Sequence, residues 1–104
     1  MKTKKASIQK FKASLWLYPG ESANWHFITV PKSISTALKE SFGANARGWG
    51  SLPVSVTIGK TTWTTSIFPD KKSGTYLLPV KAKVRQAEGL FEGDAAAVTL
   101  KIVL

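Results

Sequence analysis

Alternation of apolar and polar residues runs through most of this chain. In the first stretch the apolar positions are Phe11, Ala13, Leu15 and Leu17, and the positions between them are Lys12, Ser14, Trp16 and Tyr18. A period of two predicts a β-strand with two unlike faces. Pro19-Gly20 favours a tight turn after it. Residues 24–30, rich in aromatic and β-branched side chains, predict a second strand.

The clearest pattern in the second half is a β-hairpin over residues 52–68. Val54, Val56 and Ile58 alternate with polar residues before Gly59-Lys60, and the alternation resumes beyond that pair. A two-residue Gly-X connection predicts a type II′ turn, because glycine accepts the positive φ required at its first position. The polar turn over residues 69–74 leads to another short strand, and residues 95–104 predict a final one. About six strands result.

Two short segments carry helical rather than alternating periodicity. In residues 31–43, Ile34, Ala37 and Leu38 share one face, and we predict Ser33 as the N-cap and Gly43 as the terminating residue. In residues 78–89 the apolar face is predicted to comprise Val80, Val84 and Ala87, and the helix is predicted to end at Gly89. Neither helix is long enough to be stable alone, so both must pack against the sheet.

The surroundings of the two helices are alike, which suggests an internal repeat. Each follows an aliphatic residue and a proline, Val30-Pro31 and Leu78-Pro79, and each leads to a valine-rich strand. A duplicated strand–helix–strand unit with pseudo-twofold symmetry closes naturally into a small barrel, which hides its strand edges. We therefore predict a mostly β fold: a small closed barrel of about six strands with two short helices.

Composition narrows the class of protein. The 104 residues fit one domain, and they include no cysteine and one histidine, His26. Disulfides, thiolate metal sites, cysteine nucleophiles and multi-histidine metal sites are thereby excluded. No apolar run approaches the roughly 20 residues of a membrane helix. We expect a soluble, cytoplasmic protein without membrane insertion.

Positive charge is concentrated near the start of the chain. The net charge is +9, and five of the fifteen Lys and Arg residues are Lys2, Lys4, Lys5, Lys10 and Lys12. We predict a basic, flexible arm over residues 1–10 and a single barrel domain over residues 11–104. Such an arm attracts polyanions, nucleic acid among them. The alternative is a solubilising tail that contacts nothing specific.

Four residues stand out as candidate ligand contacts. Arg47 and Trp49 lie in a glycine-rich loop, where a guanidinium can grip an anion and an indole can stack on an aromatic ligand. The alternative for Trp49 is a lid over one end of the barrel. Lys81 and Arg85, four apart, share one helix face, and an anion between them would relieve their repulsion. A solvated face is the alternative for this pair.

No pattern of catalytic residues is present. The carboxylates form no motif, and no nucleophile elbow surrounds any serine. We assign Gly93 and Asp94 to construction of a turn. The expectation is a protein that is not an enzyme and has no metal site, no cofactor and no catalytic residues.

The segment from Arg47 to Ile102 resembles a bacterial family known as domain of unknown function 1905. The specific parts are the Arg47–Val54 loop, residues 63–69, and Leu78-Pro79 through Lys81, Val84-Arg85 and Gly93-Asp94. The resemblance extends over about Phe11 to Leu104. It implies a compact double-split β-barrel, similar in outline to the AbrB and MazE-like swapped-hairpin DNA-binding proteins, and it assigns no catalytic residue.

Three functions follow as hypotheses. The first is non-catalytic binding of a small anionic or aromatic ligand at a barrel end, through Arg47, Trp49, Lys81 and Arg85. The second is an AbrB-like nucleic-acid-binding module assisted by the basic arm. The third is a structural or protein-interaction module. The sequence leaves monomer and homodimer open.

Overall fold

The computed structural model describes residues 7–19 and 25–104. The strands are β1 (Ile8–Leu17), β2 (His26–Thr29), β3 (Leu52–Ile58), β4 (Thr61–Asp70), β5 (Thr75–Pro79) and β6 (Ala95–Ile102). The helices are α1 (Lys32–Phe42) between β2 and β3, and α2 (Ala82–Glu88) between β5 and β6. Single 3-10 turns occupy Gly43–Asn45 and Gly48–Gly50.

The six strands close into an antiparallel barrel in the order β1-β2-β5-β4-β3-β6. Two strands change partner along their length. Residues 8–14 of β1 pair with β6 and residues 15–17 with β2, while residues 61–67 of β4 pair with β3 and residues 68–70 with β5. The predicted closed, mostly β double-split barrel with two short helices is confirmed.

A pseudo-twofold relation connects the two halves of the barrel. Exchanging β1 with β4, β2 with β5 and β3 with β6 reproduces the same ring of neighbours. The backbone bonds obey the same exchange. The Val30 N–H donates to the Tyr76 carbonyl at 2.9 Å, and the Val80 N–H donates to the His26 carbonyl at 2.9 Å. Val30 therefore corresponds to Val80, and His26 to Tyr76.

This correspondence corrects the predicted repeat in two ways. The repeating unit is a strand–strand–helix–strand element rather than strand–helix–strand. The prolines are also not equivalent, since Pro79 is the last residue of β5 and pairs with Phe27, whereas Pro31 follows β2 and precedes α1. Matching Val30-Pro31 to Leu78-Pro79 was wrong by two residues.

The barrel interior is filled with aliphatic side chains. Strand β3 shows why, because each of its alternate residues is buried: Leu52, Val54, Val56 and Ile58. Leu38 of α1 and Val84 of α2 complete the core. The predicted third residue of the second helix face, Ala87, is instead exposed. A small filled barrel leaves its outer surface for binding.

Helix α1 begins differently from the prediction. Its N-cap is Pro31, no side chain caps the helix, and Ser33 lies exposed in its first turn. Ser35 is the serine with a structural role: its buried hydroxyl donates to the Val30 carbonyl and accepts the Tyr76 N–H, both at 3.0 Å. Helix α2 ends as predicted, at Gly89 with φ 63°.

The hairpin between β3 and β4 also follows the prediction. Gly59 has φ 59°, and Lys60 has no positive φ, as a type II′ turn requires. None of the helices in the described ranges is long and apolar enough to cross a membrane.

Candidate ligand-binding grooves

An apolar groove lies on the outside of the barrel, over β2 and β5. The strand pleat directs Ile28 and Leu78 into the core and so leaves Phe27 and Leu77 on the outer face. The groove has a volume of about 370 Å³, and its lining residues are Tyr18, Trp25, Phe27, Phe68, Leu77 and Pro79. An exposed apolar concavity on so small a barrel is typical of a binding surface.

The aromatic rings beside this groove hold one another in place. The Trp25 ring stacks on Phe27 at 6.3 Å between centroids and 10° between planes, and Tyr18 meets Phe27 edge-on at 5.9 Å. Trp16 packs behind Phe27 at 5.4 Å, and its indole N–H donates to the Thr29 hydroxyl at 2.9 Å. Trp25 nonetheless remains 56% exposed. The groove therefore has a preformed wall of aromatic rings, and part of that wall is exposed to solvent.

A second groove, which we call the cationic groove, continues the first at the start of α2. It has a volume of about 280 Å³ and shares Trp25 and Pro79 with the apolar groove. His26, Lys81 and Arg85 also line it. Lys81 and Arg85 thus come together as predicted from their spacing.

Arg85 is fixed by a bond that the twofold relation explains. Its Nε donates to the Val80 carbonyl at 3.2 Å, and the related Ser35 hydroxyl donates to the Val30 carbonyl at 3.0 Å. Arg85 therefore occupies the position of Ser35 in the other half. Because arginine is longer, its guanidinium reaches beyond that bond and lines the groove.

The other two predicted contacts, Arg47 and Trp49, lie in the loop before β3. The Arg47 N–H donates to the Ser51 carbonyl at 2.8 Å, and the 3-10 turn of Trp49 packs against the end of β4 near Pro69. The alternative of Trp49 as a lid over the barrel is wrong, because its side chain is 90% exposed. Its use with Lys81 and Arg85 in one site stays a prediction.

Trp49 has an unusual backbone conformation. Its φ is 64°, in the left-handed region that bulky side chains avoid.

The turn around Gly93 follows its prediction. The Asp94 carboxylate accepts the Phe91 N–H at 2.8 Å, and the Gly93 N–H donates to the Leu15 carbonyl at 2.8 Å. Both residues therefore build the turn and dock it onto β1.

The predicted basic arm lies partly outside the described residues, which is where Lys2, Lys4 and Lys5 fall. Lys10 and Lys12 are exposed on β1 and pair with Thr99 and Ala97 of β6. Strand β1 begins at Ile8, so residues 8–10 belong to the barrel.

Within the part of the chain that the structure covers, no group of three His, Cys, Asp or Glu residues could hold a metal ion. His26 lies in β2 and lines the cationic groove. The absence of enzymatic activity stays a prediction.

Sequence reasoning missed the apolar groove. A signal was present, because Trp16 and Tyr18 occupy the outward phase of β1, where a solvated face would carry polar residues.

Comparison with known proteins gives a family without a function. A search of curated proteins found no match. The family model described as Domain of unknown function (DUF1905) matches residues 11–100, nearly the whole barrel. The chain therefore belongs to this family.

Proposed function

We propose that this protein is a non-catalytic binding domain for a small molecule that combines an apolar or aromatic body with an anionic group. One observation carries the proposal: the apolar groove and the cationic groove share Trp25 and Pro79. A ligand crossing this junction places its body against aromatic rings and its charge beside Lys81 and Arg85.

The apolar contact and the charge contact each have a physical basis. Burying about 100 Å² of apolar surface contributes about 2.5 kcal/mol. The wall formed by Trp25 and Phe27 is ordered by ring stacking, so little conformational entropy is lost when a ligand binds. Arg85 is held by its bond to Val80, which leaves its remaining N–H groups oriented for a carboxylate, sulfonate or phosphate.

Two fluorescent probes test the proposal. The anionic 8-anilino-1-naphthalenesulfonate and the neutral N-phenyl-1-naphthylamine share one aromatic body, and both brighten in apolar sites. Phe68→Ala should weaken both probes about tenfold, because it removes one wall of the groove. Lys81→Gln should weaken only the anionic probe, about fivefold, since the neutral one makes no charge contact.

The controls replace residues of the same type as the test variants, one phenylalanine and one lysine. Phe91→Ala removes an exposed phenylalanine outside both grooves, and Lys83→Gln removes one exposed charge from the same helix as Arg85. Both should bind the probes like the parent protein, with unchanged circular dichroism. Equal losses in Lys83→Gln and Lys81→Gln, or normal binding by Phe68→Ala, would refute the proposed site.

Nucleic-acid binding is a second candidate, favoured by a different face. Lys10 and Lys12 of β1 and Lys101 of β6 are exposed on one outer sheet face. Nucleic-acid affinity falls steeply with salt through counterion release. A labelled oligonucleotide should lose affinity between 50 and 200 mM salt, and Lys10→Gln with Lys12→Gln should flatten the slope by about two. Binding that does not depend on salt, or no binding, would eliminate this function. A structural or protein-interaction module would then remain as the alternative to small-ligand binding.

A further inference from the structure

A third groove, here called the polar groove, lies between α1 and the turn joining β4 to β5. Its volume is about 440 Å³. It is the pseudo-twofold counterpart of the cationic groove, since Tyr76 corresponds to His26, and each lies beside the start of a helix. The two grooves share no lining residue, so what binds in one need not bind in the other.

Tyr76 provides the first sign of a ligand site. The residue is only 4% exposed and lines the polar groove. Its backbone N–H bonds to Ser35, but its hydroxyl has no hydrogen-bond partner within residues 7–19 and 25–104. The buried part of Tyr76 is its ring, and the hydroxyl oxygen is accessible from the groove, so it can donate to a group bound there. Burial raises the pKa of Tyr76, so the hydroxyl stays protonated and able to donate at neutral pH.

Three lysines supply the second sign. Lys32, Lys39 and Lys71 line the groove, and among the described residues no carboxylate pairs with any of them. The Lys32 ammonium donates to the Ser73 carbonyl at 3.2 Å, which holds it over the groove beside Gly74 with further N–H bonds to give.

Two carboxylates and a threonine hydroxyl also line the polar groove. Asp70 lines the groove but accepts the Ser73 hydroxyl at 2.7 Å, and Glu40 lines it from α1. Thr36 adds an exposed hydroxyl. Lysines outnumber carboxylates three to two, so the groove is rich in donors and weakly positive.

We propose that the polar groove binds a phosphate group, free or as a phosphomonoester, through the ammonium groups of Lys32, Lys39 and Lys71 and the hydroxyl of Tyr76. A phosphate dianion presents enough oxygens to accept from all of these donors at once, whereas a carboxylate presents two. The compact lysine ammonium is a well-established phosphate partner.

Titration with inorganic phosphate at constant ionic strength, followed by calorimetry, tests the proposal, with glycerol 3-phosphate as a second arm. Tyr76→Phe keeps the buried ring and should weaken phosphate about tenfold. Lys39→Gln should weaken it about fivefold, and the exposed control Lys83→Gln should leave it unchanged. Binding of glycerol 3-phosphate but not of phosphate would assign the site to monoesters and support the proposal.

Three results would overturn it: no binding in either arm, equal binding by the parent and Tyr76→Phe, or equal losses in Lys39→Gln and Lys83→Gln. Arg85→Gln separates this groove from the cationic one. Loss of phosphate binding in Arg85→Gln alone would place the anion there and reject the polar groove. The naphthalene probes would be unaffected by Tyr76→Phe, so this proposal and the previous one fail separately.

Discussion

Replacing Trp49 by glycine should leave the protein as stable as before or make it more stable. The left-handed conformation at φ 64° costs an L-residue about 1–2 kcal/mol. Glycine avoids that cost. It also gives the unfolded chain more conformational entropy, which lowers the free energy of unfolding by about 0.5–1 kcal/mol. Because the indole is 90% exposed, its removal loses little buried area. The balance is a gain of about 0.5–1 kcal/mol in the free energy of unfolding.

Urea unfolding followed by circular dichroism measures this difference without relying on tryptophan fluorescence. The midpoint should rise with an unchanged slope, and the melting temperature should rise by about 2–6 °C. Trp49→Ala is the control, because alanine removes the indole but keeps the left-handed strain. Its stability should lie within about 0.5 kcal/mol of the parent.

A loss of more than about 1 kcal/mol in either variant would refute the reasoning, since it would reveal packing by the indole. If the expected gain appears, Trp49 contributes nothing to stability and imposes strain. Strained, exposed aromatic residues occur where function requires them, so the result would strengthen Trp49 as a binding residue. It would then justify testing Trp49→Gly against the naphthalene probes.

Three further predictions concern single groups. Ser35→Ala should lower the free energy of unfolding by about 1–3 kcal/mol, because it orphans two buried backbone groups, whereas the exposed Ser33→Ala should be neutral in the same urea assay. Gly93→Ala should cost about 1–2 kcal/mol from strain alone, since φ is 93° and no atom lies near the new Cβ. Gly48→Ala, equally open but without positive φ, should cost nothing. Burial raises the pKa of Tyr76 above 10.0, so stability is full below the unfolded-state pKa and falls as pH rises through the folded-state value. Tyr76→Phe should reduce that alkaline fall in unfolding midpoint, and an identical fall would contradict the assignment.

The strand content could be predicted from the sequence because period-two alternation is a local property. The Gly59-Lys60 turn followed for the same reason, since one glycine determines its geometry. The start of helix α1 was harder to predict, because it depends on contacts between residues that are distant in the sequence. Ser33 had the right side chain for an N-cap, but Pro31 occupies the cap, and Ser35 makes the bonds that join helix to sheet.

The candidate site required knowledge of the strand order. Lys81 and Arg85 could be paired from helical spacing alone. Phe27 and Phe68, however, lie on β2 and β4, which are not neighbours in the barrel. They line the same groove because β5 lies between these strands, and no local sequence pattern predicts that strand order. The repeat was misaligned for a related reason. Its two prolines have similar neighbours in the sequence, whereas the true correspondence is defined by backbone hydrogen bonds between distant residues.

The interleaving of the two halves has a consequence for assembly. Both strands that pair with β3, namely β4 and β6, follow the Gly59-Lys60 turn in the sequence. Both strands that pair with β6, namely β1 and β3, precede that turn. A chain of either half alone would leave one strand with no partner and could complete a barrel only with another molecule. Joining the halves through two residues makes closure an intramolecular event, independent of how dilute the protein becomes.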